Sequence, residues 1–200
     1  MPTVHSVTKS GTTLLLIAST AWMAAGCMPS RFSGYEPSGQ GTREAGYCVA
    51  GIKDNFRVVA THGVQVHWWA SRDEQAGSIL LDVNIDVPDA VTVQLGSPDL
   101  VLSSEHWSKP QPLPVAAISA PGPRNLGPEA VLIGSSESSR GSYQLWYSRI
   151  AKGVMSQTGI PAVPTFSAQL PPLLINGETW ESAPVTFREY RRWGVYTCVQ

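Results

Sequence analysis

The sequence predicts a mainly β protein, an immunoglobulin-like sandwich of antiparallel strands. Residues 79–87 alternate between strongly apolar and more polar positions, and residues 91–95 alternate again after a Pro-Asp turn signal. A period of two gives a strand one buried face and one wet face. Short strands closed by turn residues at this spacing are typical of a sandwich.

The first 26 residues have the composition of a secretory signal peptide. Residues 1–11 contain one positive charge, Lys9, and no acid, and an uncharged apolar run follows. That run is too short to cross a bilayer, for which about 20 mostly apolar residues are needed. A positive start, a short apolar centre and a small-residue end are typical of an export signal. We therefore assign residues 1–26 to a leader.

The end of this leader, residues 24–27 (Ala-Ala-Gly-Cys), resembles a bacterial lipobox, although that family usually has Leu in place of Ala24. The resemblance implies cleavage before Cys27, a diacylglyceryl group on its sulfur and a third acyl chain on its new amino group. Several chains are needed because one acyl chain binds a membrane only marginally. The residue after Cys27 is Met28 rather than Asp. In lipoproteins of this kind that resembles sorting to the outer membrane, facing the periplasm, rather than to the inner membrane.

Two of the three cysteines remain if Cys27 carries lipid. The periplasm allows Cys48 and Cys198 to pair, and such a disulfide would close nearly the whole folded region. The alternative is two buried free thiols, which pack as small apolar side chains. We predict the disulfide.

The mature chain is expected to have a flexible linker followed by one domain. Residues 28–44 are rich in Gly, Ser and Pro and lack apolar periodicity, so we assign residues 27–44 to the lipidated cysteine and a tether. Residues 45–200 are assigned to the β-sandwich domain. Removal of the leader leaves 174 residues, enough for a single domain with a hydrophobic core.

Other strands of this domain are predicted from local composition. Residues 56–70 are β-branched and aromatic, with a break at Gly63. Residues 109–129 contain six prolines and are expected to form an extended connection at a sheet edge. Residues 142–153 fit either a strand or a helix, and their aromatic content favours a strand. An Asn-Gly pair at 176–177 predicts a hairpin turn.

Residues 166–190 (FSAQLPPLLINGETWESAPVTFREY) contain that turn. They resemble a terminal stretch of uncharacterised proteobacterial lipoproteins of β-sandwich type. The resemblance implies the same kind of fold and brings no catalytic residue with it.

The charge distribution argues against two classes of partner. With Lys9 removed, 13 basic residues stand against 15 acidic ones, with no block of like charge along the sequence. Neither nucleic-acid binding nor polybasic membrane docking is therefore predicted. The membrane contact is expected to come from the lipid anchor.

One stretch is similar to a calcium loop. Asp82, Asn84 and Asp86 have the spacing of the first three ligands, but Val87 and Val93 stand where Gly and Glu are required. The intervening apolar residues predict a strand with a solvated acidic face. We predict no metal and no cofactor.

No catalytic residue is predicted. The mature chain lacks a G-x-S-x-G elbow, and its histidines, His62, His67 and His106, lack the helical spacing of a zinc protease. A zinc site assembled from distant strands, and a hydrolase using His67 or His106 with an acid, are alternatives.

Adjacent tryptophans give the one hint of a binding surface. Trp68 shares a strand face with Val64 and Val66, whereas His67 and Trp69 share the other face, so the two indoles point in opposite directions. We predict that Trp68 is core and that His67 and Trp69 lie on a possible binding surface. The alternative is that Trp69 is covered by the proline-rich connection.

These observations predict a non-catalytic, lipid-anchored envelope lipoprotein whose sandwich binds or supports another envelope protein. One alternative is a glycan- or peptidoglycan-binding module that uses Trp69, Trp107 or Trp180. The other is an unrecognised hydrolase.

Overall fold

The computed structural model describes residues 29–45, 54–121, 125–136, 141–147, 151–152 and 155–195. Their regular structure is β-sheet, apart from a 3₁₀ turn at Thr61–Gly63. The strands are β1 (Pro29–Ser38), β2 (Thr42–Ala45), β3 (Asp54–Val59), β4 (Gln65–Asp73), β5 (Ser78–Asp86), β6 (Thr92–Leu95), β7 (Asp99–Ser103), β8 (Gln111–Pro114), β9 (Ala117–Ser119), β10 (Asn125–Leu126), β11 (Leu132–Ile133), β12 (Ser142–Trp146), β13 (Ala151–Lys152), β14 (Met155–Pro161), β15 (Thr165–Gln169), β16 (Leu173–Ile175), β17 (Glu178–Trp180) and β18 (Val185–Val195). Within these ranges, no helix is long and apolar enough to cross a membrane.

The strands form three antiparallel sheets. A five-stranded sheet has the order β1-β18-β15-β7-β8, and a four-stranded sheet has the order β11-β6-β16-β17. The nine-stranded sheet has the order β10-β9-β12-β5-β4-β3-β2, with β14 pairing both β5 and β13. The prediction of a mainly β, antiparallel sandwich is confirmed. An immunoglobulin sandwich has two sheets, and the four-stranded sheet is an addition that the sequence did not predict.

Residues 29–45 belong to these sheets and do not form a tether. β1 pairs with β18 along its whole length, and β2 pairs with β3. Tyr35 on β1 is buried, and its hydroxyl donates to the carbonyl oxygen of Val163 at 2.9 Å. The expected tether over residues 28–44 is therefore corrected: the sheets include the chain from Pro29 onward. The composition of residues 28–44 indicated a linker because composition reflects only local preference. β1 instead forms by pairing with β18, which lies about 150 residues later in the sequence.

Aromatic side chains join the five-stranded sheet to the nine-stranded sheet. Phe166 and Phe187 stack with ring centroids 5.0 Å apart, and Tyr35 meets Phe166 edge-on at 5.0 Å. From the opposite sheet, Trp68 packs against Phe187 at 6.4 Å. Trp68 is 1% exposed, as predicted for a core residue. Large buried aromatics dominate core energetics, so this cluster is a main link between the sheets.

β4 and β5 pair over nine positions near the centre of the nine-stranded sheet. The apolar positions predicted to face inward are all buried: Val64, Val66, Trp68, Ala70, Ile79, Leu81, Val83, Ile85 and Val87. On the other face of β5, however, Leu80 and Asp82 are buried too. The predicted solvated face was wrong at these two positions, where β14 pairs with Leu80 and the Gln144 side chain of β12 reaches Asp82.

Three further predictions concern connections. Residues 142–146 form a strand, β12, rather than a helix. Asn176 and Gly177 have φ of 51° and 83° and link β16 to β17, as a type I′ hairpin turn requires. The proline-rich segment was expected to be an extended connection at a sheet edge, and within it β8 is an edge strand of the five-stranded sheet. Beyond it, β9 lies between β10 and β12 with Ile118 in the core, so this segment is more than a surface connection.

The leader and the three cysteines, Cys27, Cys48 and Cys198, lie outside the described residues. The predicted lipidation and disulfide therefore stay predictions.

Candidate functional site

A group of polar side chains lies on the face of the nine-stranded sheet opposite the core. β4 contributes His67 and Trp69, both half-buried, because Trp68 takes the inward position between them. The strand register sets His67 beside Asn84 and Trp69 beside Asp82 on β5. The two residues predicted as a possible binding surface are thus brought together on one face.

The side chains of His67 and Asp86 lie in direct contact. Nε2 of His67 lies 3.1 Å from Oδ2 of Asp86. This distance is within hydrogen-bond range, although the ring N–H is not well aligned with that oxygen. Ser142, opposite Asp86 on β12, hydrogen-bonds to the same carboxylate. The His67 contact first, and Ser142 second, lower the pKa of Asp86 against the opposing effect of partial burial.

Asp82 has a different environment. It is buried, and Nε2 of Gln144 on β12 donates to its Oδ1 at 2.8 Å. A buried carboxylate needs such donors to offset its lost hydration. Asp82 is therefore fixed within the sheet, whereas the side chain of Asp86 is 45% exposed and able to meet a ligand.

These side chains surround a pocket of about 290 Å³. The lining residues are Asn55, His67, Trp68, Trp69, Asp82, Asn84, Asp86 and Ser142. A second pocket of about 350 Å³ adjoins it, because Asp86 lines both. The loops that follow β5 and precede β12 form the wall of the second pocket. We refer to these two pockets, which share Asp86, as the groove.

The groove offers hydrogen-bonding groups of several kinds next to one aromatic ring. The amides of Asn55 and Asn84 both donate and accept, and the carboxylate of Asp86 accepts. Trp69 adds a large apolar surface with a polar edge. This set suits a ligand that carries several hydroxyl or amide groups and has an apolar face.

The contacts do not form a nucleophile–base arrangement. Asp86 stands between Ser142 and His67, so the serine hydroxyl contacts the carboxylate rather than the imidazole. A Ser-His-Asp triad needs the histidine in the middle position to take the serine proton. The arrangement Ser142–Asp86–His67 therefore places no base where it would accept the proton of Ser142.

The other residues considered from the sequence lie elsewhere. His62 is exposed in the 3₁₀ turn, and His106 is exposed with Nε2 3.8 Å from Glu105. Trp107 and Trp180 are partly buried against the core. Among the residues that the structure describes, no group of three or more His, Cys, Asp and Glu is placed to hold a metal ion.

Comparisons of the chain with protein-family models, with characterised proteins and with solved structures find no significant match.

Sequence reasoning missed Asn55 and Ser142, which come from β3 and β12. Neither lies in a recognisable motif, and only strand pairing brings them to His67. Asn84 alternates with apolar residues in the sequence of β5, and this pattern predicts that it faces outward. The pattern does not predict that it lies in a pocket.

Proposed function

We propose that this chain is a lipid-anchored envelope lipoprotein with a non-catalytic β-sandwich that binds another component of the envelope. The anchor rests on the lipobox resemblance at Cys27. The binding role rests on the groove around Trp69 and Asp86. The proposed location is the outer membrane, facing the periplasm.

The groove favours a glycan as the bound component. Sugar rings have an apolar face that packs on an indole and hydroxyl groups that bond to amides and carboxylates. The pocket beside Trp69, at about 290 Å³, is close to the lower end of the usual range for ligand sites, so it fits one sugar unit. The adjoining pocket gives room for a second unit. Because Asp82 and Asp86 line the first pocket, an uncharged or N-acetylated sugar fits better than an anionic one.

A protein partner, the leading hypothesis from the sequence, is the second candidate. Among the described residues, the large apolar side chains that are exposed are Val59, Val101, Val131 and Ile133. Val131 and Ile133 are 51% and 64% exposed, and β11, which contains Ile133, is an edge strand. At this edge the N–H and C=O of Ile133 both bond to the hydroxyl of Tyr143, so a partner would meet the exposed side chains rather than add a strand. A charged substitution, Ile133→Lys, separates the candidates because it alters this apolar patch and not the lining of the groove.

The glycan proposal predicts that Trp69→Ala weakens binding of soluble N-acetylglucosamine oligomers about tenfold or more, since it removes the stacking surface. Titration calorimetry measures this, with Trp180→Phe as a control remote from the lining of the groove.

Trp69→Ala should unfold only slightly more easily than the parent protein. Trp68→Ala, in contrast, should lose about 3–5 kcal/mol of stability because it empties a core site.

Unchanged glycan affinity in Trp69→Ala, or no binding by the parent protein, contradicts the glycan proposal. Equal losses of stability in Trp68→Ala and Trp69→Ala contradict the placement of Trp69 at a binding surface.

The anchor proposal predicts that Cys27→Ser prevents lipid attachment and signal-peptide cleavage by the lipoprotein peptidase. Metabolic labelling with a radioactive fatty acid should label the parent chain and not the variant. A Cys27→Ser chain that is still processed to the mature size and retained in the membrane contradicts the anchor.

A further inference from the structure

The distance between the proposed anchor and the first strand is very short. β1 begins at Pro29, two residues after Cys27. Two residues span at most about 7 Å. If Cys27 carries lipid, the end of the β1–β18 ribbon that contains Pro29 and Val195 is therefore held at the bilayer surface.

The same end of the ribbon is rich in arginine and aromatic residues. The register sets Arg31 opposite Trp193, Phe32 opposite Arg192, and Ser33 opposite Arg191. These residues, with Pro29, Ser30, Gly194 and Val195, include three arginines, two aromatics and no acid. Acidic residues border this end: Arg191 Nη2 lies 3.5 Å from Oε1 of Glu189, and the Ser33 hydroxyl donates to Glu74 at 2.6 Å.

This composition matches the chemistry of a phospholipid surface. Tryptophan is enriched at the level of the lipid headgroups. Arginines near an anionic membrane surface are attracted to it, each by roughly fivefold in partitioning. We propose that the Pro29–Ser33 and Arg191–Val195 end of the β1–β18 ribbon docks on the anionic bilayer that holds the lipid anchor. This inference rests on the proposed anchor and adds a protein surface to it.

The sequence alone argued against such docking, because no block of like charge is present. Arg31 is separated from Arg191 and Arg192 by about 160 residues, and antiparallel pairing of β1 with β18 brings them together. Lipid and ribbon then act as two membrane signals, and the ribbon restricts the orientation of the sandwich on the bilayer.

The test uses the processed, lipid-bearing protein in vesicles of phosphatidylethanolamine and phosphatidylglycerol that contain brominated lipid. Bromine quenches tryptophan fluorescence at the bilayer. Trp193→Phe should remove most of the quenching, whereas Trp107→Phe, a control in the core region, should leave it. Without any substitution, high salt or omission of phosphatidylglycerol should also reduce the quenching of the parent protein.

A charge-matched pair of variants tests the arginines. Arg31→Gln with Arg192→Gln should shift the docking equilibrium roughly 25-fold toward the undocked state. Arg43→Gln with Arg57→Gln removes the same charge from β2 and β3, where the arginines pair with Glu36 and Glu44, and should leave docking unchanged.

The outcomes separate the two proposals. A chain that receives no lipid contradicts the proposed anchor and the docking together. A lipid-bearing protein whose quenching survives Trp193→Phe, or does not respond to phosphatidylglycerol, overturns the docking and leaves the anchor intact.

Discussion

At the scale of single residues, the outer face of the nine-stranded sheet gives its carboxylates different roles. Asp82 is buried and held by Gln144, whereas Asp86 is half-exposed between His67 and Ser142. The sequence grouped both with Asn84 as equivalent outward positions. Alternation predicts the face of each residue, but its depth depends on side chains from other strands: β12 pairs with β5 at residues 84–86, and its Gln144 reaches Asp82.

The lowered pKa of Asp86 predicts a pH-dependent contribution to stability. A carboxyl whose pKa is lower in the folded state stabilises the fold above its unfolded pKa, about 3.9, and this contribution disappears as pH falls through the folded pKa. Asp86→Asn should therefore destabilise the protein slightly at pH 7 and have less effect near pH 3. Urea denaturation at several pH values measures the difference.

Asp89→Asn is a matched control, because Asp89 is exposed in the turn after β5. Its effect should be smaller than that of Asp86→Asn at pH 7. A difference between Asp86→Asn and the parent that grows as pH falls from 7 to 3 would show that the sign is wrong.

At the scale of elements, the sequence predicted strands whose periodicity is local and missed a strand defined by pairing. β4, β5 and the β16–β17 hairpin follow from alternation and from the Asn-Gly turn. β1 has little alternation and many residues typical of linkers, yet it pairs with β18 along ten residues. Phe32 and Tyr35 were the available signal, since two aromatics are unusual in a polar tether.

Tyr35 tests whether β1 belongs to the domain. Tyr35→Ala should cost about 3–5 kcal/mol, because it removes a buried aromatic that contacts Phe166. Tyr35→Phe should cost about 1–2 kcal/mol, since the carbonyl of Val163 loses its donor. Denaturant unfolding measures both. If residues 28–44 are a flexible tether, neither substitution changes the free energy of unfolding.

The Tyr35 hydroxyl also gives a signature at high pH. Burial, more than any nearby charge, raises its pKa to about 12. The unfolded chain releases this proton near pH 10, so the contribution to stability is present below pH 10 and is lost as pH rises through about 12. Tyr35→Phe should make the fall in stability over this interval less steep.

At the scale of the whole molecule, the fold class could be predicted and the site could not. Alternating strands and turn residues are sufficient to indicate an antiparallel sandwich. The groove, however, draws Asn55 from β3, His67 from β4 and Ser142 from β12. Its composition depends on strand order, which local patterns do not contain. The same reason explains why the arginines of β1 and β18 were not recognised as one surface.

The predicted Cys48–Cys198 disulfide would act on the molecule as a whole. It would connect the segment between β2 and β3 to the residues that follow β18, and so close a loop of about 150 residues. Thiol labelling of denatured protein that was purified without reductant should find no free thiol. Reduction should then lower the free energy of unfolding, with about 5 kcal/mol as the upper bound from the chain-entropy model. The double variant Cys48→Ala with Cys198→Ala should match the reduced protein and should not respond to reductant. Two reactive cysteines per chain before reduction would refute the bridge, and both residues would then be free thiols.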